Sequence, residues 1–143
     1  MTVGFIGGGN MASAMITGLI TSNTVSKENI YVSDISKTSL LKLEEKYGIN
    51  TFLDNKEVAR NVQVLFLAVK PNLYEMIINQ IKDEISDDTI IISITPGKTL
   101  ELLKSWFEKD VKIVRTMPNT PAMVLEGMTA VCKNEFFILL YLH

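Results

Sequence analysis

The sequence predicts a doubly wound α/β fold, in which a mainly parallel sheet carries helices on both faces. Segments rich in β-branched residues alternate along the chain with segments of helical periodicity. Some strand-like segments, such as Val64–Val69 and Ile90–Ile92, are apolar at successive positions, as expected for parallel strands covered on both faces. Strands are expected at Val3–Ile6, Ile30–Ser33, Ile49–Phe52, Val62–Val69, Thr89–Ile94 and Lys112–Thr116.

Residues that favour helix starts stand between these strands. Ser36 can cap a helix that carries Leu40, and Asp54 with Glu57 has the spacing of a capping box. Pro71 can occupy the first turn of the helix after the fourth strand, where its missing amide hydrogen matters little. These signals predict helices in the gaps between strands.

Composition predicts one domain and excludes several classes of partner. The chain has 143 residues, of which 47% are apolar and 21% charged, and we expect one domain over 1–134 followed by an atypical apolar tail over 135–143. The net charge of -2 argues against a nucleic-acid partner. The tail is far shorter than the roughly 20 residues that span a bilayer, so no membrane association is expected.

Because the first basic residue is Lys27, we expect no secretory signal and a cytoplasmic location.

The residues of acid–base and metal chemistry are scarce. Cys132 is the single cysteine, which excludes an internal disulfide, and His143 is the single histidine. Sites that depend on a histidine base or ligand therefore lack material, and we expect no metal. No catalytic side chain is assigned, so a cofactor or groups outside this chain must supply the chemistry.

A glycine turn follows the first strand and precedes a helical segment. It reads Gly-x-Gly-x-x-Ala over Gly7–Ala12. Gly7 permits a tight turn, Gly9 lets a pyrophosphate approach the backbone, and Ala12 allows close packing of the helix on the strand. A merely flexible connection is the alternative, but the flanking strand and helix favour a Rossmann-type dinucleotide site.

Asp34 ends the second strand, where an acidic side chain usually accepts hydrogen bonds from the adenosine ribose. A carboxylate there favours NADH, because it would repel a 2′-phosphate. Ser33, Ser36, Lys37 and Thr38 lie beside it and could hold that phosphate instead. Asp34 or Ser36 could also simply cap the next helix. The cofactor is therefore expected to be NADPH or NADH, with the choice open.

Three further segments are more specific than a nucleotide fold. They are Phe66–Pro71, Ile92–Gly97, and Val114–Ala122 together with Glu126–Ala130. Together with the glycine turn, these segments resemble the pyrroline-5-carboxylate reductases in order and spacing. The resemblance extends from residue 1 to about 134, and its most specific motif is Met-Pro-Asn-Thr-Pro. All follow predicted strands at the sheet edge where doubly wound folds bind ligands, and the chain's prolines lie there too.

The resemblance implies the site residues. The pyrophosphate would be bound by Ile6, Gly7, Gly8, Gly9, Asn10 and Met11, and the adenosine end by Asp34 and Asn55. The nicotinamide side would be bordered by Ala68, Val69, Lys70, Pro71, Ile94, Thr95 and Pro96. Asn119 would lie near the substrate. Two positions depart from the family. The family more often has Ala-Ala where this chain has Thr95-Pro96, and more often has a short neutral polar residue where this chain has Asp34. Lys70 and Arg115 are not assigned a catalytic role.

The reaction implied by the resemblance is hydride transfer from NADPH or NADH to the C=N carbon of 1-pyrroline-5-carboxylate, a small-molecule substrate, giving L-proline. The family places much of its substrate pocket and its dimer interface in a helical carboxyl-terminal domain, which we expect to be absent here. This chain is then expected to bind cofactor with little turnover.

Two alternatives stay open. One is a non-catalytic dinucleotide-binding module, and the other is a β-hydroxyacid dehydrogenase-like domain, which lacks the motif at Met117–Pro121. Self-association into a homo-oligomer through the apolar segment Phe136–Leu142 is a further hypothesis.

Overall fold

A single sheet forms the centre of the computed structural model, which describes residues 1–118 and 129–133, with side chains described over 1–116. The described strands lie in the order β3-β2-β1-β4-β5-β6-β7. Their bounds are β1 Val3–Ile6, β2 Ile30–Ser33, β3 Asn50–Phe52, β4 Val64–Leu67, β5 Ile90–Ser93, β6 Lys112–Pro118 and β7 Thr129–Lys133.

The strand order reverses beside β1, which pairs in parallel with both β2 and β4. The chain builds the sheet outward from β1 to β3, then returns and continues outward from β4 through β6, all in parallel. β7 pairs antiparallel with β6 at the far edge. In open α/β sheets, ligands bind beyond the carboxyl ends of the strands at such a reversal, here between β1 and β4.

Helices cover both faces of the sheet. Their bounds are α1 Asn10–Thr21, α2 Lys37–Tyr47, α3 Asn55–Asn61, α4 Tyr74–Ile81 and α5 Leu100–Phe107, with 3₁₀ turns at Lys27–Asn29 and Pro71–Leu73. Side chains of α1 and α2 belong to one apolar cluster, and those of α3, α4 and α5 belong to the other. No helix among the described residues is long and apolar enough to cross a membrane.

The central strands are buried on both faces, as their unbroken apolar runs predict. Phe5 of β1 packs into the cluster beneath α1 and α2, whereas Ile6 packs into the cluster beneath α3 to α5. Along β4, Leu65 and Phe66 divide between the same two clusters. Phe5 and Phe66 stack with their ring centroids 4.7 Å apart. The doubly wound, mainly parallel fold is therefore confirmed.

The helix starts match the sequence signals in all but one detail. The Ser36 hydroxyl accepts a hydrogen bond from Ser39 N at 3.2 Å and caps α2, and Pro71 opens the 3₁₀ turn that leads into α4. Asp54 caps α3 by accepting from Lys56 N at 2.9 Å. Glu57 does not complete a capping box, because its carboxylate pairs with Arg60 at 2.9 Å.

The strand predictions are wrong at the far edge of the sheet. β6 continues beyond the predicted end at Thr116 and includes Met117 and Pro118, which we expected in a loop. β7, over Thr129–Lys133, was not predicted. The cause is non-local: β7 and the last residues of β6 pair with each other, so neither segment is recognisable from its own sequence.

Truncating a buried leucine should destabilise this fold far more than truncating an exposed one. Leu65 in β4 is 0% exposed and Leu41 in α2 is 56% exposed. We expect Leu65→Ala to lower the free energy of unfolding by about 2–5 kcal/mol, because it leaves a cavity between sheet and helices. Leu41→Ala should change it by less than about 0.5 kcal/mol. Urea denaturation measures both, and equal losses would contradict the core described here.

Candidate functional site

A cavity of about 410 Å³ opens at the carboxyl ends of β1, β2 and β4, where the strand order reverses. It combines backbone of the glycine turn with polar and apolar side chains from the neighbouring strand ends and helices. Its lining consists of Ile6, Gly7, Gly9, Ser33, Asp34, Ile35, Asn55, Ala68, Val69, Lys70, Leu73, Met76 and Ile77.

Gly7 makes the tight turn that follows β1. Its φ is +101°, and a Cβ added there would lie 2.4 Å from the carbonyl oxygen of Ala68. Gly7 N also donates a hydrogen bond to Ser33 O at 2.8 Å, and Ala68 N donates to Ile6 O at 2.8 Å. The turn is thus packed between the ends of β2 and β4, and no larger residue fits without displacing backbone.

Gly9 is the open position of the turn. It is exposed, and a Cβ added there would meet no atom within 4 Å. Gly9 is the N-cap of α1, and within the described part of the chain no side chain caps this helix, whereas Ser36, Asp54 and Thr99 cap α2, α3 and α5. The first amides of α1 therefore remain available to an anion, so the turn fits a diphosphate.

The Asp34 carboxylate ties the glycine turn to the start of α2. One oxygen accepts a hydrogen bond from Gly8 N at 2.8 Å, and the other accepts from Ser36 N at 2.8 Å. Because an ionised carboxylate has about four acceptor sites, these bonds leave capacity for a ribose hydroxyl. Capping of α2 is performed by Ser36, so Asp34 is not needed for that task.

Asn55, at the start of α3, forms a fixed polar wall. Its Oδ1 accepts a hydrogen bond from the Ser33 hydroxyl at 2.8 Å, and its Nδ2 donates to Gln80 Oε1 at 3.0 Å. The Ser33 side chain is fully buried. The amide orientation is set by this pair of bonds, which hold α3 against the end of β2.

The two serines considered for binding a 2′-phosphate differ in what they can still donate. The Ser33 hydroxyl donates to Asn55, and the Ser36 hydroxyl accepts from Ser39 N. Lys37 and Thr38 are exposed in the first turn of α2. Ser33 therefore has no hydroxyl hydrogen left for a phosphate, whereas the Ser36 hydroxyl can still donate one.

Four apolar side chains of the cavity were not predicted from sequence. Ile35 is 94% exposed and Met76 is 51% exposed, which is unusual for large apolar residues, and Leu73 and Ile77 stand nearby in the lining. Ile35 had one available signal, since it directly follows Asp34 at a strand end. The residues around α4 resemble an ordinary buried helix face in sequence. Exposed apolar groups on both sides of a cavity can enclose a flat ring.

Some expected site residues lie outside this cavity. Gly8 and Asn10 line a second cavity of about 250 Å³, which Gly9 also borders, and Met11 is half-buried in α1. Pro71 is exposed beyond the lining. Beyond β5, Ile94 is half-buried, Thr95 is buried and Pro96 is exposed. Asn119 lies outside the described residues, as do the expected tail and Pro121.

A buried tyrosine lies beneath the loops that follow β4 and β5. The Tyr74 hydroxyl donates to Leu67 O at 2.6 Å and accepts from the Ser93 hydroxyl at 3.2 Å. Burial raises the pKa of Tyr74, and hydrogen bonds from Ser93 and from the backbone amides of Ile94 and Thr95 oppose the rise. The phenol is therefore neutral at physiological pH.

The described residues offer few groups for other chemistry. No group of three His, Cys, Asp or Glu side chains is arranged to hold a metal ion within 1–118 and 129–133. Lys70 is exposed at the rim of the larger cavity. The arrangement is suited to binding and orienting a ligand rather than to acid–base catalysis by its own side chains.

Comparison with known families identifies the group to which this domain is related. The family model described as "NADP oxidoreductase coenzyme F420-dependent" matches residues 2–97. The chain belongs to this oxidoreductase family. Within it, the chain is 39% identical over 132 residues to pyrroline-5-carboxylate reductase of Escherichia coli K12, covering 92% of this chain and 49% of that protein. It spans about half the length of the curated relatives it matches.

Solved structures of family members superpose on the same region. A pyrroline-5-carboxylate reductase from Coxiella burnetii matches with a TM-score of 0.91 and 39% identity, over 96% of this chain and 51% of that one. The Plasmodium falciparum pyrroline carboxylate reductase with NADP bound matches with a TM-score of 0.82 and 33% identity, over 94% and 48%. The resemblance inferred from the motifs, and the fold it implied, are confirmed.

Alanine at the two outer glycines of the turn should separate folding from ligand binding. We expect Gly7→Ala to cost at least about 2 kcal/mol of stability, because of the positive φ and the clash with Ala68 O. Gly9→Ala should cost less than about 1 kcal/mol, since its Cβ enters open space at a helix cap. Thermal denaturation measures both losses, and NADH titration should find weakened binding in Gly9→Ala. Native stability of Gly7→Ala would contradict the tight packing of the turn.

Proposed function

We propose that this chain supplies the NAD(P)H-binding domain of an enzyme that reduces 1-pyrroline-5-carboxylate to L-proline. The glycine turn is the observation that carries the proposal. Gly7 fixes the turn against β4, while Gly9 leaves the first amides of α1 open to a diphosphate. The similarity to pyrroline-5-carboxylate reductases over 92% of the chain supports this substrate.

The proposed cofactor site follows the strand ends across the sheet, within a dinucleotide-binding domain over 1–134. Ile6–Met11 bind the pyrophosphate, and Asp34 with Asn55 binds the adenosine half. Ala68–Pro71 and Ile94–Pro96 border the nicotinamide half. The larger cavity brings Asp34, Asn55 and Ile35 together, which supports the adenosine assignments, and Ala68–Lys70 lie in the same lining. Asn119 is proposed to lie near the substrate.

In this proposal the protein binds and orients, and the cofactor supplies the reactive group. When bound, the reduced nicotinamide supplies a hydride to the C=N carbon of the substrate. Backbone amides at Gly9–Met11 neutralise the diphosphate, and Asp34 accepts from the ribose. These contacts fix the position of the nicotinamide and so reduce the entropic cost of reaching the reactive geometry.

We also infer a preference for NADH over NADPH. The Asp34 carboxylate is held in place by Gly8 N and Ser36 N, so its negative charge cannot swing away from an incoming 2′-phosphate. The Ser33 hydroxyl already donates to Asn55, so of these two serines Ser36 alone can still donate a hydrogen bond to a phosphate. Lys37 remains as an exposed cation, and a solvated lysine offsets little of that repulsion.

Partner and location are parts of the same proposal. The rest of the substrate pocket is proposed to come from a region equivalent to the other half of the longer relatives. Self-association through the apolar segment Phe136–Leu142 is proposed from sequence, and analytical ultracentrifugation tests it: a clean monomer at high concentration removes it. A cytoplasmic location is proposed from the single cysteine.

Two measurements test the proposed function. Titration of the 143-residue protein with NADH and NADPH, followed by nicotinamide fluorescence, should find saturable binding. The chain should then be fused to the remaining half of the Escherichia coli relative and assayed for oxidation of NADH that depends on 1-pyrroline-5-carboxylate. Turnover by the fusion, but not by the fusion carrying Gly9→Ala, supports the proposal. Absence of cofactor binding overturns it.

Replacing Asp34 should change the cofactor preference. We expect Asp34→Ser to shift the ratio of NADPH to NADH affinity toward NADPH by at least about tenfold, because a unit negative charge is removed beside the 2′ position. Asp87→Ser is the matched control. It removes the same charge from an exposed site that precedes β5, at the amino ends of the strands and away from the cavity. An unchanged ratio in Asp34→Ser would contradict the inferred preference.

A further inference from the structure

We propose that Tyr74 is a positioning residue for the nicotinamide half of the cofactor. Its buried hydroxyl joins the end of β4 to the end of β5, and so fixes the spacing of the loops that begin there. This inference rests on the proposed function and concerns the part of the site that Ala68–Pro71 and Ile94–Pro96 are proposed to border. It assigns a role to a side chain outside the cavity lining.

The geometry places the hydroxyl at the last residues of both strands. Tyr74 is fully buried, and its hydroxyl donates to Leu67 O at 2.6 Å and accepts from the Ser93 hydroxyl at 3.2 Å. Leu67 ends β4 and Ser93 ends β5. The Thr116 hydroxyl extends the chain of bonds to β6 by donating to Ser93 O at 3.3 Å.

The location of this link gives it more than a packing role. The parallel ladder between β4 and β5 ends with the pair Leu67 and Ser93. Beyond that pair, Ala68–Pro71 and Ile94–Pro96 leave the sheet. The phenol bridges the two strands where the ladder stops, through Leu67 O and the Ser93 hydroxyl. It therefore restrains the spacing at which both loops start.

Hydrogen bonding explains why a tyrosine is suited to this position. A phenylalanine would fill the same apolar space beside Ile78 without requiring a buried polar partner. A buried hydroxyl is stabilising only when it is satisfied, and this one is satisfied by groups on two different strands. Its loss would leave Leu67 O without that donor and release the β5 loop from the β4 loop.

A purely structural role and a positioning role give different binding patterns. If Tyr74 only stabilises the fold, Tyr74→Phe lowers stability and leaves the ligand contacts of the folded protein intact. If it positions the two loops, the variant binds NADH less tightly while retaining its affinity for ADP-ribose. ADP-ribose contains the adenosine and diphosphate groups but no nicotinamide, so it reports on the other half of the site.

The experiment compares Tyr74→Phe with the wild type and with Tyr47→Phe. The Tyr47 hydroxyl is also hydrogen-bonded, to Thr17 at 2.6 Å, but it links α2 to α1 on the other face of the sheet. We expect Tyr74→Phe to raise the Kd for NADH by about tenfold and that for ADP-ribose by less than about twofold. Tyr47→Phe should change neither by more than about twofold.

A spectroscopic measurement and a second variant complete the test. At saturating NADH, the nicotinamide emission of the Tyr74→Phe complex should shift toward that of free NADH, which a change in stability alone would not produce. Ser93→Ala keeps the phenol and removes its donor, so it should raise the Kd for NADH by about threefold and leave ADP-ribose unchanged.

The outcomes are distinct. Equal changes for NADH and ADP-ribose in Tyr74→Phe, or no change in either, overturn the positioning role while leaving the proposed function intact. If Tyr74→Phe does not fold, Ser93→Ala decides by the same criterion, and a lack of selective loss overturns the role. If the wild-type chain binds ADP-ribose but neither reduced nucleotide, the proposed function itself fails.

Discussion

The close contact between the glycine turn and the end of β4 is the constraint on which the site depends. Gly7 adopts a positive φ with the Ala68 carbonyl oxygen where a Cβ would otherwise stand. This contact brings the first turn of α1 next to the point where β4 leaves the sheet. The strand order reverses at that point, and the cavity opens beyond the carboxyl ends of the strands there.

A carboxylate connects this turn to the rest of the cavity. Asp34 accepts from Gly8 N and from Ser36 N, so the glycine turn, the end of β2 and the start of α2 form one hydrogen-bonded unit before any ligand arrives. Such preorganisation lowers the entropy lost on binding. It also fixes a negative charge at one place, and under the proposed function this charge is what would discriminate between nucleotides.

Local signals in the sequence predicted most of this arrangement. The features that were missed depend on the pairing of distant segments or on the exposure of a side chain. The parallel strands, the turn at Gly7 and the Ser36 cap each follow from a few adjacent residues. The antiparallel β7 depends on pairing with β6, which no short segment specifies. Ile35 was missed for another reason: an apolar side chain carries no chemical signature, so its role is apparent only when its exposure is known.

The two halves of the proposed cofactor site are held by different kinds of interaction. Around Asp34 and Asn55, side chains at the cavity wall bond to neighbouring backbone and side chains, so the same groups both shape the site and face the ligand. Beneath the other half, Tyr74 acts from within the core, out of reach of any ligand. Buried hydrogen bonds are screened less by solvent than exposed ones, so the spacing they set is the more rigid. In the proposed site, the adenosine end can therefore vary in charge preference without moving the loops proposed to border the nicotinamide end.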